Sequence, residues 1–138
     1  KTTTNSVNLQ YSVIEGISFG ILDGVNAISK VNQKFEKIYT VGGVSRSTFW
    51  VELLSTLLKK NMSVCNQSNF SASLGVARLA MYQDKNIKDK ESIIKEIEIN
   101  QNHNPKDDKI DLLLKRYNIW KDLYNTNRNI SKKLNLNN

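Results

Sequence analysis

The first regular pattern along the chain is an apolar stripe that recurs every three or four residues. This spacing predicts a helix of about six turns. The stripe consists of Val7, Tyr11, Ile14, Ile17, Ile21, Val25 and Ile28. The polar residues 2–5 before it are suitable helix caps. Because Gly16, Gly20 and Gly24 repeat at intervals of four and each weakens an isolated helix by about 1 kcal/mol, we expect a neighbouring element to pack closely on their side.

The middle of the chain alternates between short apolar stretches and longer amphipathic ones. Residues 37–41 predict a strand, 46–60 a helix, 62–65 a second strand and 70–82 a third helix. The expected buried side of the second helix is Phe49, Trp50, Leu53, Leu54, Leu57 and Leu58. The third helix has small residues that would permit tight docking: Ala72, Gly75, Ala77 and Ala80. This order of elements is typical of an α/β sandwich with a short sheet.

The last third of the chain is more polar. We expect an exposed connector over 84–92 and a loop over 100–108, whereas the pattern of 93–99 fits a helix or a strand equally well. Asp107 or Asp108 then caps a final helix. Its inward side is expected to be Ile110, Leu113, Leu114, Tyr117, Trp120 and Leu123.

The end of the chain predicts a change from folded domain to tail. Residues 127–138 are rich in Asn and Lys and poor in apolar residues, so we expect them to be disordered. The folded domain is therefore expected to span residues 1–126. A chain of 138 residues that begins at Lys1 is expected to be a piece of a longer protein.

Composition limits the function classes. The net charge of +7 is spread over many segments and mixed with acids, so we expect a solvated surface and no nucleic-acid interface. The single Cys65 excludes an internal disulfide, which fits a reducing, cytoplasmic setting. No apolar run is long enough to predict a membrane span, and no secretory leader is evident.

Two adjacent glycines, Gly42 and Gly43, separate the first predicted strand from the second predicted helix. Glycines at such a junction let a ligand approach the backbone closely. The first turn of the helix adds N–H groups without helical acceptors and the positive end of the helix dipole, which suits a phosphate group. A tight strand-to-helix turn with no ligand is the alternative interpretation.

Three blocks of sequence favour the ligand-binding interpretation. They are Tyr-Ser-Val-Ile-Glu-Gly-Ile-Ser-Phe at 11–19, the glycine turn at 38–50, and Ser-Ala-Ser-Leu-Gly-Val-Ala-Arg-Leu-Ala at 71–80. In this order they resemble the carboxy-terminal domain of the FGGY carbohydrate kinases. The third block, and more loosely the final helix at 116–124, is most similar to the xylulose kinases.

The resemblance implies a fold and a ligand. It implies part of an actin-like ATPase domain of the ribonuclease H-like type, with ATP held between two domains. Gly42 and Gly43 match the family's glycine pair, whose backbone approaches the nucleotide phosphates, and Ser47 matches a polar residue that contacts the nucleotide. Capping the helix is the alternative role of Ser47. Ser45 could cap or donate to phosphate, and Arg46 is expected to point to solvent.

The resemblance also implies what this piece does not contain. The family's carboxylate base lies upstream, and no acidic residue here has a matching context. We therefore expect no catalytic residue and no metal ligand in this chain, although the complete enzyme would use ATP and Mg2+. The acids that we considered are Asp23, Asp84, Asp89, Asp107, Asp108, Asp111 and Asp122.

Several residues depart from the family pattern or are expected to be structural. Ser55-Thr56 stands where many relatives have Ala-Asp, and Val44 stands where a small residue often follows the glycines. Glu15 matches a family glutamate, for which we favour a structural role. His103 is isolated in the sequence, and Cys65 is best explained as a small buried apolar residue.

The resemblance therefore implies the ATP-binding part of a sugar kinase, with D-xylulose as the expected substrate and a missing amino-terminal domain as the expected partner. Kinases for glycerol, ribulose or gluconate, or a non-catalytic nucleotide-binding relic, are the alternatives. A homodimer is also conceivable, formed through the glycine side of the first helix or through the final helix with Tyr117 and Trp120. We predict no membrane partner.

Overall fold

A computed structural model describes residues 4–31, 35, 37–66, 70–84, 89–93 and 97–135. The helices are α1 (Ser6–Ser29), α2 (Thr48–Leu58), α3 (Ser71–Gln83) and α4 (Ile110–Asn135). The strands are β1 (Ile38–Thr40), β2 (Met62–Cys65) and β3 (Ile99–His103). Short 3-10 turns span Gly42–Arg46, Glu91–Ile93 and Asp107–Lys109. The mixed α/β class predicted from the sequence is confirmed.

The chain forms two compact units. The helical unit consists of Lys1–Lys34, Thr56–Leu58 and Lys106–Asn138, and the sheet unit consists of Phe35–Ser55 and Lys59–Pro105. A single domain over residues 1–126 therefore stays a prediction. Each unit is described separately below.

The sheet unit is built on three strands in the order β1-β2-β3. Strands β1 and β2 are parallel, with Thr40 opposite Val64, and β3 runs antiparallel to β2, with His103 opposite Met62. The two predicted strands are confirmed. The loop predicted over 100–108 is wrong for its first four residues, which belong to β3. This strand is a mostly exposed edge rich in Asn and Gln, so the sequence offers no apolar alternation by which to recognise it.

Helix α2 connects the two parallel strands. Its predicted position is confirmed, and Val51, Leu54 and Leu57 are among its most buried side chains. The predicted buried side is only partly correct, because Phe49 is 50% exposed. Phe49 lies in the first turn of the helix. It fits the apolar spacing of the buried side, but half of its side chain is exposed to solvent.

Helix α1 begins at the cap Asn5, whose Oδ1 accepts a hydrogen bond from the Asn8 N–H at 2.9 Å. The helix was predicted correctly, but its buried face was not. The buried residues are Glu15, Ser18, Phe19 and Leu22, whereas Ile17 of the predicted stripe is 49% exposed. The buried face mixes the apolar Phe19 and Leu22 with the polar Glu15 and Ser18, so a search for apolar periodicity selects a different side of the helix.

The core of the helical unit is an aromatic cluster between α1 and α4. The Phe19 ring lies 5.6 Å from Tyr117 and 6.0 Å from Trp120, and the latter two rings stack at 6.1 Å. A Cβ built on Gly16 would lie 3.8 Å from Trp120 Nε1. The close packing expected at the glycines is therefore found at Gly16 only, since a Cβ on Gly20 or Gly24 would meet nothing within 4 Å.

Polar contacts flank this cluster. The Arg116 guanidinium donates to Glu15 Oε2 at 2.7 Å, and the Glu15 side chain is buried. The Tyr117 hydroxyl donates to Asp23 Oδ1 at 2.8 Å. Burial and this hydrogen bond raise the pKa of Tyr117 above 10.0. These contacts support the structural role that we expected for Glu15.

Two helices differ from expectation in their extent or packing. Helix α4 continues to Asn135, whereas the sequence predicted a disordered tail from residue 127. Each added residue gains one backbone hydrogen bond, and Lys132 and Lys133 complement the negative end of the helix. Helix α3 was placed correctly, but none of its residues is buried, so its small residues are not docked on any described residue. In the described parts of the chain no helix is long and apolar enough to cross a membrane.

We expect Arg116→Gln to lower the free energy of unfolding by about 1–3 kcal/mol, because the buried Glu15 carboxylate then has no cationic partner. Adding Glu15→Gln should recover most of that loss. Urea denaturation at pH 7 measures both, and Arg128→Gln on exposed α4 surface is the matched control. A double variant no more stable than Arg116→Gln would contradict this account of the ion pair.

The raised pKa of Tyr117 predicts a decline of stability at alkaline pH. Its folded-state pKa lies above the unfolded value of 10.0, so its stabilising contribution is complete below pH 10 and is lost as pH rises through the folded value. Tyr117→Phe should flatten the decline above pH 10 in denaturation curves. Tyr124→Phe, at a ring that is 55% exposed, should leave the decline unchanged.

Candidate functional site

The candidate site is the turn that joins β1 to α2. After Val41 the chain enters the 3-10 turn Gly42–Arg46, and α2 begins at Thr48. Gly42 has a φ of +73°, a conformation in which any other residue would be strained. Gly43 does not share this conformation, because among the described glycines only Gly42 has a positive φ.

The two glycines leave open space beside the backbone. A Cβ built on either Gly42 or Gly43 would meet no heavy atom within 4 Å. Gly43 is exposed, whereas Gly42 is half-buried. The backbone at Gly43 is therefore accessible to a ligand from solvent.

Ser45 and Ser47 both brace this turn. The Ser45 hydroxyl donates to the Gly42 carbonyl at 2.6 Å, which closes the 3-10 turn. Ser47 Oγ accepts a hydrogen bond from the Trp50 N–H at 3.3 Å, and the Ser47 carbonyl accepts from the Val51 N–H at 3.0 Å. Ser47 therefore caps α2, which is the alternative role that the sequence allowed. The hydroxyl retains its own proton as a donor.

Arg46 is exposed, as expected. Thr40, at the end of β1, is a buried polar residue next to the glycine turn that the sequence analysis did not single out as a candidate. Its side chain is 5% exposed, and its Oγ1 has no hydrogen-bond partner among the described residues. Only its polar side chain and its position two residues before the glycines could have indicated a role at this turn, and both features are common at strand ends.

Ser55 and Thr56 have structural roles. Ser55 Oγ lies 2.8 Å from the Lys60 carbonyl and 2.9 Å from the His103 carbonyl, so its proton is shared between these acceptors. Thr56 Oγ1 accepts from the Lys106 N–H at 3.1 Å. Both side chains are buried, which explains why short hydroxyl residues suit these positions.

The remaining candidates lie away from the glycine turn or are engaged elsewhere. His103 belongs to β3, which β2 separates from β1 in the sheet. Cys65 is buried, and burial raises the pKa of its thiol, so it is not an activated nucleophile. Asp23 on α1 accepts a hydrogen bond from the Tyr117 hydroxyl. No group of three or more His, Cys, Asp or Glu side chains within the described ranges could hold a metal ion.

Comparisons with known proteins identify the family. The FGGY family of carbohydrate kinases, C-terminal domain, matches residues 1–83. A xylulose kinase from Escherichia coli K12 is 24% identical over 97 residues, which are 70% of this chain and 20% of that protein. This chain therefore spans about a fifth of the length of that relative.

Solved structures show the same fold. A xylulose kinase from Brucella ovis matches 94% of this chain and 27% of its own, with a TM-score of 0.80 and 23% identity. A gluconate kinase from Lactobacillus acidophilus matches 91% of this chain and 25% of its own, with a TM-score of 0.67 and 20% identity. These sugar kinases have an actin-like ATPase fold, which confirms the predicted fold class. Since the family match covers more than half of the chain, the protein belongs to the FGGY family of carbohydrate kinases and represents its carboxy-terminal domain.

Proposed function

We propose that this chain is the ATP-binding part of a kinase that transfers the γ-phosphate of ATP to D-xylulose, which gives D-xylulose 5-phosphate. The observation that carries the proposal is Gly43. It is exposed, its φ is not positive, and a Cβ there would touch nothing within 4 Å. Neither backbone conformation nor packing within the described residues requires glycine, whereas a ligand that approaches the backbone does.

The turn can bind the phosphates of ATP through its backbone. The N–H groups that open the 3-10 turn at Gly42 have no acceptor within that turn, and they suit an anion. Ser47 can donate its hydroxyl proton to the nucleotide while Oγ still accepts from the Trp50 N–H. ATP supplies the phosphoryl group when bound, and these residues hold and orient it.

The other parts of the reaction belong to the missing amino-terminal domain in this proposal. The acids of this chain have no family context as a base, and the described residues offer no cluster for a metal ion. The carboxylate base and the groups that position Mg2+ would therefore come from outside this chain. A cytoplasmic location stays a prediction.

The sugar is inferred from relatives. D-xylulose is favoured because the Escherichia coli relative and the Brucella ovis structure are both named as xylulose kinases. Gluconate is the second candidate, because a gluconate kinase shares the fold with a TM-score of 0.67. The departure at Ser55 and Thr56 does not favour a relic, since both hydroxyls have hydrogen-bond partners in the fold.

The complete kinase should phosphorylate D-xylulose more efficiently than gluconate, glycerol or ribulose in an assay coupled to ADP release. The 138-residue chain alone should give no turnover, because in this proposal the carboxylate base and the groups that position Mg2+ lie outside it. Preference of the complete enzyme for gluconate would overturn the substrate, and turnover by the isolated chain would overturn the division of roles.

Gly43→Ala in the complete kinase should raise the KM for ATP while the KM for the sugar stays nearly unchanged, because the new methyl group occupies the space through which phosphate approaches. Thermal stability should not change, since the methyl group meets nothing within 4 Å and the backbone is unstrained. Gly42→Ala is the contrasting variant, because at a φ of +73° it should lower stability as well.

Ser47 variants separate capping from nucleotide contact within the same experiment. Ser47→Ala removes the helix cap and the proposed contact with the nucleotide. Loss of the cap should lower the free energy of unfolding by about 1 kcal/mol, and loss of the contact should raise the KM for ATP roughly two- to tenfold. Ser47→Asp keeps a cap but repels phosphate, so it should raise that KM without loss of stability. Unchanged ATP kinetics in Gly43→Ala and Ser47→Asp, with a large loss in Arg46→Ala, would contradict the assigned contacts.

A further inference from the structure

The helical unit contains a cavity of about 410 Å³ between α1 and α4. The volume lies within the usual range of small-molecule sites, about 300–1,000 Å³. The cavity is lined by Asp23, Asn26, Ala27, Lys30, Tyr117 and Lys121. All of these residues belong to the helical unit, so the cavity is built without any residue of the glycine turn, which belongs to the sheet unit.

Helical spacing brings the lining residues together. Asp23, Asn26 and Lys30 follow one another at intervals of three and four residues, and Tyr117 and Lys121 are four apart. Residues at these intervals share one side of a helix. Lys30 is the cap residue at the end of α1 and keeps helical dihedral angles, so it continues the side that Asp23 begins. The lining is therefore set by how α1 packs on α4.

Tyr117 is the buried part of the lining. It is 6% exposed, and its ring packs against Phe19 and Trp120. The Tyr117 hydroxyl donates to Asp23 Oδ1 at 2.8 Å, and Asn26 Nδ2 donates to the same hydroxyl at 3.4 Å. These contacts orient the carboxylate and the amide. Asp23 Oδ2 and Asn26 Oδ1 have no hydrogen bond to a described residue, so both can accept one from a ligand hydroxyl.

The charge of the lining favours an anion. Lys30 and Lys121 carry ammonium groups, and neither forms an ion pair with a described residue. Asp23 is the one acid of the lining, so positive charge is in excess. An ammonium group has three donors, and lysine binds phosphate as a point charge. A phosphate group is therefore a suitable ligand for the two lysines.

Asp23 and Tyr117 restrict the class of phosphate compound. The Asp23 carboxylate repels a di- or triphosphate more strongly than a monophosphate. The Tyr117 ring is buried and has Lys121 Nζ at 5.4 Å from its centroid, so it offers no open face to a nucleobase. A compound with one phosphate and several hydroxyl groups meets both conditions, because its hydroxyls can donate to Asp23 and Asn26.

We propose that this cavity binds the monophosphate of a sugar or polyol, with Lys30 and Lys121 at the phosphate group and Asp23 and Asn26 at the hydroxyl groups. The cavity uses none of the residues that we propose to contact ATP. The proposal does not rest on the proposed kinase function.

Titration of the 138-residue chain with glucose 6-phosphate, followed by NMR of the backbone amides, tests the site. We expect saturable shifts of the amide signals of residues 23–30 and 117–121, and no such shifts at 42–48. Glucose and inorganic phosphate should each bind at least about tenfold more weakly, because each makes only one part of the contacts.

Lys30→Gln and Lys121→Gln should each weaken binding of glucose 6-phosphate roughly five- to tenfold, because each removes a charge-assisted contact. The matched control is Lys132→Gln, which removes the same charge from an exposed position on α4 outside the lining. It should change the affinity by less than about twofold. Asp23→Asn should tighten inorganic phosphate and reduce the preference for glucose 6-phosphate, because it removes both a repelling charge and the stronger hydroxyl acceptor.

Absence of saturable binding by glucose 6-phosphate would overturn the proposal. So would an equal loss of affinity in Lys132→Gln, inorganic phosphate that binds as tightly as the sugar phosphate, or shifts confined to residues 42–48. Circular dichroism should show equal helix content in all variants. If Asp23→Asn loses helix because its contact with Tyr117 is weakened, the comparison of the three ligands on the wild-type chain decides.

Discussion

The candidate site depends on one backbone conformation, the positive φ of Gly42. The chain bends into a 3-10 turn directly after β1 through this positive φ, which a residue with a side chain would adopt only with strain. The turn then delivers Ser47 to the cap position of α2. The Ser45 hydroxyl donates a hydrogen bond to the Gly42 carbonyl and so stabilises the turn. No side chain at positions 42 and 43 is needed for this contact.

Helices of both units have more apolar surface than they bury. Helix α1 packs Phe19 and Leu22 inward but exposes Ile17 and Ile28, and no residue of α3 is buried. An apolar surface of this extent has no stabilising role in an isolated chain. In the proposed complete kinase these faces would contact the rest of the enzyme, since this chain matches about a quarter of the length of the solved relatives.

The sequence predicted the positions of helices and strands better than it predicted which side of each helix is buried. Strand β2 and the positions of α1, α2 and α3 were predicted to within a few residues, because their apolar periodicity is strong. The predicted buried side of α1 was wrong because the residues that are buried include the polar Glu15 and Ser18, which apolar periodicity does not select. Strand β3 was missed because its pairing with β2 stabilises a segment whose own sequence is polar.

At the candidate site, too, the sequence predicted the location of the turn but not its backbone conformation or the contacts of its side chains. The glycine pair marked the turn correctly, but the sequence does not indicate that the positive φ belongs to Gly42 and not to Gly43. Ser47 shows why two roles could not be separated. A hydroxyl oxygen can accept the Trp50 N–H while its proton remains available to a ligand, so a residue that caps α2 is also suited to contact a nucleotide. Capping by Ser47 therefore supports the proposed contact, because it fixes the position of the hydroxyl before any ligand arrives.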